Sequence, residues 1–101
     1  MRVMMVRYTV KDEQVEANER LVREVFAELR SQATPGVRYA TSKLEDGRTF
    51  VHIAAIDAPA GANPLTSLPA FKAFQAGIRE RCSEPPVATE LHPLESFGLF
   101  A

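Results

Sequence analysis

The sequence predicts an α+β fold with the element order βαββαβ, in which a four-stranded antiparallel sheet carries two helices on one face. Three observations predict it. Apolar residues recur with the period of strands and of helices in turn. An Asp-Gly pair, Asp46 and Gly47, lies between two strand-like runs, as in a tight hairpin. The 101 residues suffice for one modest core, so we expect residues 1–101 to form a single domain.

The first strand and the first helix follow from a change of period near residue 11. Residues 2–10 carry long and β-branched apolar side chains without Gly or Pro, which favours a buried strand. The next segment combines an apolar stripe with oppositely charged pairs four residues apart, which is typical of a surface helix. We expect Asp12 to be its N-cap and the Thr-Pro-Gly sequence at residues 34–36 to end it.

A hairpin and a loop come next. Residues 37–45 and 48–57 are strand-like, and we expect Asp46 and Gly47 to join them in a two-residue type I′ turn, which needs positive φ at both positions. Residues 58–64 are rich in Ala, Gly and Pro and predict a crossing loop.

The last third of the chain predicts a second helix and a fourth strand. Ser67 can cap this helix, because Pro69 is tolerated in a first helical turn. Apolar residues recur at helical spacing until shortly before the prolines at 85 and 86, where the helix must have ended. Residues 87–94 alternate as the fourth strand, and Pro93 indicates a sheet edge there.

The two central strands are predicted to be apolar on both faces. Right-handed crossovers give this fold the sheet order 4-1-3-2, with the first and third strands in the centre. One face of these strands carries Met4, Val6, Tyr8, Val10, Phe50, His52, Ala54 and Ile56. The other face carries Val3, Met5, Val51, Ile53 and Ala55. Two helices cover only one face, so an apolar face of about 400 Å² would stay open.

We expect this open face to pair with a second copy of the chain. Burying it on both copies would yield on the order of 20 kcal/mol at about 25 cal/mol per Å², against association costs of roughly 4 to 15 kcal/mol. The apolar tail at residues 97–100 is expected to pack on the partner or to extend an edge strand. The predicted assembly is a face-to-face homodimer.

Composition and charge narrow the function classes. Hydrophobic residues make up 46% and charged residues 25% of the chain, and the formal net charge is −1. Without a basic excess, neither nucleic acid nor an anionic membrane is an expected partner. No apolar run approaches the roughly 20 residues of a membrane span, and Arg7 interrupts the N-terminal run that resembles a signal peptide. A cytoplasmic location is expected.

Cysteine and histidine are too sparse to predict a metal or a cofactor. Cys82 is the only cysteine, and it lacks the helix N-terminus that would activate a thiolate, so we expect no reactive role for it. His52 and His92 are far apart in sequence and make a weak metal signal. We expect His92 at the rim or surface of the sheet, and no metal or cofactor.

Residues 68–82, LPAFKAFQAGIRERC, precede the pair of prolines and the last predicted strand. With the element order, this segment resembles the antibiotic biosynthesis monooxygenase family, within the dimeric α/β-barrel superfamily of ferredoxin-like folds. The resemblance covers nearly the whole chain. It implies a pocket between the sheet and the helices of each subunit of a dimeric α/β barrel.

Members of that superfamily include cofactor-free oxygenases of aromatic polyketides, haem-degrading enzymes, small-molecule isomerases and ligand-sensing domains. The polyketide oxygenases use Trp and Asn in the site, and the haem-degrading members carry an iron-ligating His on helix 2. This chain has no Trp and no His in that segment. We expect Asn18 on the solvated side of the first helix and Asn63 in a loop.

Two polar residues on the central strands are the candidates for catalysis. His52 could act as a general base or orient a ligand, and Tyr8 could add its phenol to the same cavity. Phe26, Phe71 and Phe74 are the candidate ligand-contacting residues. Each of these residues also has a structural interpretation, as a hydrogen-bonded core side chain or as core packing.

The leading hypothesis is a small-molecule enzyme resembling the cofactor-independent monooxygenases, with a small, mostly apolar substrate, aromatic substrates included. The alternative is a non-catalytic ligand-binding or structural homodimer. A cavity of several hundred Å³ beside His52 would favour the first. Arg38 and Tyr39 point to opposite faces, so at most one of them belongs to such a cavity.

Two other families share the element order but are not favoured. An RNA-recognition motif would use Phe50 as one stacking residue, yet Ile53 stands where the second aromatic is needed and the chain is slightly acidic. An acylphosphatase-like enzyme needs a glycine-rich anion loop after the first strand, where residues 11–14 are Lys-Asp-Glu-Gln.

Overall fold

The computed structural model describes residues 1–59 and 62–99. The strands are β1 (Arg2–Val10), β2 (Val37–Lys43), β3 (Thr49–Ile56) and β4 (Cys82–Leu91). The helices are α1 (Val15–Gln32), α2 (Pro69–Gln75) and the one-turn α3 (Ile78–Arg81), with a 3₁₀ turn at Asp12–Gln14 before α1. The strands pair antiparallel in the order β2-β3-β1-β4, so the predicted α+β fold and sheet order are confirmed.

Helix α1 begins later than predicted. Asp12 is the first residue of the 3₁₀ turn rather than an N-cap, and its exposed carboxylate lies 3.5 Å from Nε of Arg48. The helix ends in the expected place, since Ala33 takes a left-handed conformation with φ of 46° and its N–H bonds to the carbonyl of Arg30. The prediction of Asp12 as N-cap was therefore wrong, while the predicted helix end near residue 34 is confirmed.

Gly36 connects α1 to β2 in a conformation that requires glycine. Its φ is +74°, and a Cβ atom there would lie 2.5 Å from the carbonyl oxygen of Asp57. The Asp57 N–H also donates to the Gly36 carbonyl at 2.8 Å, which ties the start of β2 to the end of β3. A side chain at this position would push the two strand ends apart.

The β2–β3 hairpin has a longer turn than the predicted type I′ turn. The Gly47 N–H donates to the Leu44 carbonyl at 3.0 Å, and of these residues only Gly47 has positive φ. Asp46 instead accepts hydrogen bonds from the backbone N–H groups of Arg48 and Thr49, at 2.9 and 2.8 Å. Hydrogen bonds from the Thr49 hydroxyl and from these N–H groups lower the pKa of Asp46 to about 2. Asp46 thus stabilises the turn through its side chain.

The predicted second helix is broken into α2 and α3. Pro69 is its first residue, but Leu68 holds the N-cap position, and the Ser67 hydroxyl donates to the Pro64 carbonyl rather than capping the helix. Gly77, with φ of +75°, interrupts the helix at its middle. The expectation of one continuous helix capped by Ser67 was wrong because glycine relieves the steric cost of a left-handed break.

Strand β4 begins at Cys82 rather than at residue 87. It contains Pro85 and Pro86, which a central strand would not tolerate because proline cannot donate to the ladder. β4 pairs only with β1, so its outer side needs no donors, and its register with β1 shifts on both sides of Thr9. The predicted edge position was right and the predicted start was wrong.

The core lies between the sheet and the helices. Its buried members are Tyr8, Val10, Val25, Phe50, Leu65, Leu68, Phe74 and Cys82. On the opposite face of the sheet Val3 and Ala55 are buried, whereas Met5, Val51 and Ile53 are half-buried. The core cluster thus lies on the helix-covered face, as predicted, and the opposite face stays partly accessible at Met5, Val51 and Ile53.

The C-terminal tail is apolar and exposed. Leu94 and Phe97 are almost completely exposed, and Leu99 is 65% exposed. Residues 92–99 form no strand, so within these residues the tail does not extend an edge of the sheet. Phe100, the end of the predicted tail contact, lies outside the described residues.

Candidate functional site

A cavity of about 960 Å³ lies between the helix-covered face of the sheet and helix α2. Most of the residues that line it are apolar, and the charged Arg2, Arg79 and Glu90 line it as well. The apolar lining residues include Met4, Val6, Ala54, Phe71, Phe74 and Ile78, and Tyr8, Tyr39 and His52 contribute polar side chains. The loop after β3 contributes Ala58, Pro59, Ala62 and Asn63 to its rim. The cavity has the size and the mostly apolar lining that are usual for small-molecule sites.

His52 lies on β3 at the centre of the sheet and uses both of its ring nitrogens. The pairing of β3 with β1 and β2 places it opposite Val6 and Thr41. Its Nε2 lies 2.7 Å from the Tyr8 hydroxyl, and its Nδ1 contacts the Tyr39 hydroxyl and lies 3.1 Å from the Thr41 hydroxyl. The structure thus brings together the two predicted catalytic residues, Tyr8 and His52, and adds Tyr39 and Thr41 to them.

The hydrogen-bonded chain continues away from the cavity through Asn18 and Arg81. The Asn18 amide nitrogen lies 2.9 Å from the Tyr8 hydroxyl, and its amide oxygen accepts from Nε of Arg81 at 3.2 Å. Arg81 also donates to the carbonyls of Ala76 and Phe74, at 3.1 and 2.6 Å. Asn18 has no exposed surface, so the expectation that it lies on the solvated side of the first helix was wrong.

Arg81 is a buried cation, and none of the described residues forms an ion pair with it. Its residue is 8% exposed, and its guanidinium lies 5.4 Å from the centre of the Phe74 ring. Burial lowers its pKa. Because it bonds to two carbonyls and to Asn18, its charge is held by dipoles and by an aromatic face rather than by an ion pair.

Burial favours the uncharged forms of His52, Tyr39 and Tyr8 near neutral pH. It lowers the pKa of His52 to about 4 and raises the pKa of Tyr39 to about 12. Burial also raises the pKa of Tyr8, although the hydrogen bond from Asn18 opposes the shift. At pH 7 the site therefore presents a neutral imidazole between two neutral phenols.

The three predicted ligand-contacting phenylalanines fall into two groups. Phe71 and Phe74 line the cavity, and the Phe74 ring centre lies 5.3 Å from that of His52. Phe26 lies behind Tyr39, stacked on it with ring centres 5.0 Å apart, and faces a separate groove between α1 and β2. The structure does not bring Phe26 to the cavity, because Tyr39 stands between them.

The remaining candidates lie away from the cavity. Cys82 is buried at the start of β4, and burial raises the pKa of its thiol. His92 is exposed beyond the end of β4. Arg38 is exposed, whereas its neighbour Tyr39 lines the cavity, in agreement with the expected alternation of faces. In the described parts of the chain, no three His, Cys, Asp or Glu side chains are grouped as metal ligands would be.

Sequence reasoning missed Asn18, Arg81 and Thr41, although a signal exists for the first two. Asn18 is three residues after Val15 and seven before Val25, so it lies on the apolar stripe of α1. Arg81 is seven residues after Phe74 and three after Ile78. A polar residue in register with an apolar stripe indicates a buried polar contact.

No protein-family model matches the sequence, and no curated protein matches it. Among solved structures, Rv0793 from Mycobacterium tuberculosis superposes with a TM-score of 0.77 at 20% identity, covering 94% of this chain and 96% of that one. A structure named as an antibiotic biosynthesis monooxygenase also has a TM-score of 0.77, at 15% identity, with 94% and 100% of the two chains covered.

SnoaB, a cofactor-independent oxygenase from Streptomyces nogalater, superposes with a TM-score of 0.70 at 15% identity over 96% of each chain. At these identities the likeness establishes the fold. The chain has the ferredoxin-like fold of proteins named as antibiotic biosynthesis monooxygenases, as the resemblance of residues 68–82 implied. Within residues 1–59 and 62–99, no helix is both long and apolar enough to cross a membrane.

Proposed function

We propose that the chain is a small-molecule enzyme of the cofactor-independent monooxygenase type, acting on a small, mostly apolar substrate in the cavity beside His52. The observation that carries this proposal is the cavity of about 960 Å³, whose apolar walls meet a hydrogen-bonded His52–Tyr8 pair. Helices that filled this space with Phe71 and Phe74 would have argued for a purely structural domain. The likeness in fold to SnoaB supports the choice of an oxygenase.

The cavity offers an aromatic substrate both contact area and polar orientation. Phe71 and Phe74 form one wall, with ring centres 6.0 Å apart, and the edge of a substrate ring could pack against them. Tyr8, Tyr39 and His52 supply the polar end of the same space. One apolar wall facing a few polar groups is the arrangement that orients a small ligand.

A thermal-shift screen followed by an oxygen-consumption assay tests the proposal. A ligand at about 100 times its Kd should add about 2.7 kcal/mol to the free energy of unfolding of the wild type. Binding should be lost in Ala54→Phe, which fills the cavity, and kept in the matched control Ala73→Phe, whose position is exposed on α2. Bound ligands should consume dioxygen without an added cofactor, and consumption should fall in His52→Ala.

The same assays separate the two candidate functions. Binding without oxygen consumption or any product detectable by mass spectrometry would favour the alternative, a non-catalytic ligand-binding protein. Equal binding to the wild type and to Ala54→Phe would contradict the cavity as the site. No binding by any compound of the screen would favour a purely structural homodimer.

We also propose that two copies pair through the open face of the sheet. This face carries the half-buried Met5, Val51 and Ile53, and Val87 on β4 is 63% exposed. The exposed apolar tail adds further surface that water does not favour. Sedimentation should give a dimer at micromolar concentration for the wild type and for the control Ala73→Glu, and a monomer for Val87→Glu. A wild-type monomer would contradict the pairing.

A further inference from the structure

The hydrogen-bonded chain beside the cavity has a direction, and Arg81 sets it. A guanidinium can only donate, so the Asn18 atom 3.2 Å from Nε of Arg81 must be the amide oxygen. The amide nitrogen of Asn18 then faces the Tyr8 hydroxyl at 2.9 Å and donates to it. The donor-only chemistry of arginine thus fixes the orientation of the Asn18 amide.

The burial of Tyr8 fixes the direction of its hydrogen bond with His52. Its residue is 1% exposed, and among the hydrogen bonds of the described residues its hydroxyl contacts only Asn18 and His52. Since Asn18 donates, the Tyr8 hydrogen has one available acceptor, Nε2 of His52. The opposite direction would leave a buried hydroxyl hydrogen without a partner, which is costly.

The position of the hydrogen on the His52 ring determines the direction of the hydrogen bond to Tyr39, beside the cavity. A neutral imidazole that accepts at Nε2 bears its hydrogen at Nδ1, where it meets the hydroxyls of Tyr39 and Thr41. The Tyr39 oxygen therefore accepts from His52, and its own hydrogen can donate either to the neighbouring Thr41 hydroxyl or to a ligand. Tyr39 lines the cavity, so this hydrogen is available to a ligand.

We propose that Asn18 and Arg81 are positioning residues, which orient the hydrogen bonds of Tyr8 and His52 so that the Tyr39 hydroxyl donates into the cavity. The ligand presents a carbonyl oxygen to this hydroxyl. The ligand class rests on the proposed function, whereas the direction of the chain is a property of the free protein. His52 is then a link that polarises Tyr39 and not a base open to the substrate. A ligand without an acceptor would leave the Tyr39 hydrogen to the Thr41 hydroxyl.

Nitrogen-15 NMR of histidine-labelled protein tests the direction without any ligand. At pH 7 His52 should carry its hydrogen on Nδ1 and none on Nε2, and the exposed His92 serves as the internal reference. Asn18→Asp should reverse the tautomer, because a carboxylate accepts from both Arg81 and Tyr8, which makes the Tyr8 oxygen an acceptor for Nε2–H. Gln32→Glu, the same change of amide to carboxylate at the exposed end of α1, should leave it unchanged.

A hydrogen on Nε2 in the wild type would overturn the proposal outright. A folded Asn18→Asp variant that keeps the wild-type tautomer would overturn the positioning role of Asn18. A merely structural role for Asn18 predicts lower stability but no reversal, so the tautomer distinguishes the two. If Asn18→Asp does not fold, the wild-type spectrum still decides the direction of the chain.

A pair of shape-matched ligands tests the carbonyl site. The probes are 2-acetylnaphthalene and 2-isopropenylnaphthalene, which differ in having C=O or C=CH₂ at the same place. Their affinity ratio should fall about tenfold in Tyr39→Phe, since one hydrogen bond to a buried acceptor is lost. It should fall similarly in Asn18→Asp, where Tyr39 donates back to His52, although Asn18 is not part of the cavity wall.

The outcomes separate this proposal from the proposed function. If both probes bind and their ratio is the same in Tyr39→Phe as in the wild type, the carbonyl site is wrong and the ligand cavity stands. If neither probe binds the wild type, the carbonyl site and the apolar-ligand cavity are both contradicted. If the ratio falls in Tyr39→Phe but not in a folded Asn18→Asp, the directing role of Asn18 is wrong.

Discussion

Removing the Tyr8 hydroxyl should destabilise the protein far more than its size suggests. The Tyr8→Phe variant keeps the ring in its place, stacked on Phe50 with ring centres 5.5 Å apart. It leaves two buried partners unpaired, the amide nitrogen of Asn18 and Nε2 of His52. Each unpaired buried group costs about 1 to 3 kcal/mol, so we expect a loss of about 2 to 4 kcal/mol once some relaxation is allowed.

The matched control is Tyr39→Phe, which removes the other hydroxyl on His52. Tyr39 is half-buried, and the Thr41 hydroxyl remains 3.1 Å from Nδ1 to take the His52 hydrogen. We expect this variant to lose less than about 1 kcal/mol. Urea unfolding at pH 7 gives both losses directly, and the Tm of Tyr8→Phe should fall by roughly 10 to 25 °C. Equal losses in the two variants would refute the buried chain as a stabilising unit.

The remaining predictions concern pH, backbone strain and the cavity wall. Because burial lowers the pKa of His52 from 6.5 to about 4, only the unfolded chain takes up a proton between these pH values. Stability from this group is complete above pH 6.5 and falls by about 3 kcal/mol as the pH drops toward 4; urea midpoints against pH should show the slope, and His52→Gln should reduce it. Gly36→Ala should lower the urea midpoint more than Gly47→Ala, which costs only about 1 kcal/mol, because both have positive φ but only the first meets a backbone carbonyl; equal losses would contradict this. In the thermal-shift screen Phe71→Leu should weaken ligand binding and Phe26→Leu should not, because Phe26 lies behind Tyr39.

The fold was predictable because its signals are local and repeated. Several residues that recur with one period predict each strand and helix, and the sheet order follows from the handedness of the crossovers. The predicted boundaries of the helices and strands were wrong where the conformation of one or two residues overrides the periodic pattern around them. Gly77 breaks a helix whose apolar spacing continues past it. Pro85 and Pro86 predict a gap before the last strand, but β4 contains both prolines.

The candidate site was only half predictable. His52 and Tyr8 were found because they share the helix-covered face of adjacent strands, and strand alternation fixes which residues share a face. The sequence predicts only that either Arg38 or Tyr39 can belong to the cavity, because nothing in β2 itself tells which of its faces meets the helices. The contact between His52 and Asn18 through Tyr8 depends on how α1 crosses the sheet, and a sequence pattern does not determine that crossing.

Asn18 and Arg81 depart from the residue types that core stability alone would favour at their positions. Both lie on apolar stripes whose other members build the core, and both are almost completely buried. Apolar residues of similar volume at such positions are often as stabilising as a buried polar pair or more so. The two polar side chains converge on Tyr8 and His52, which line the cavity. Local rules of core formation are therefore broken beside the cavity, and such departures are expected at functional sites.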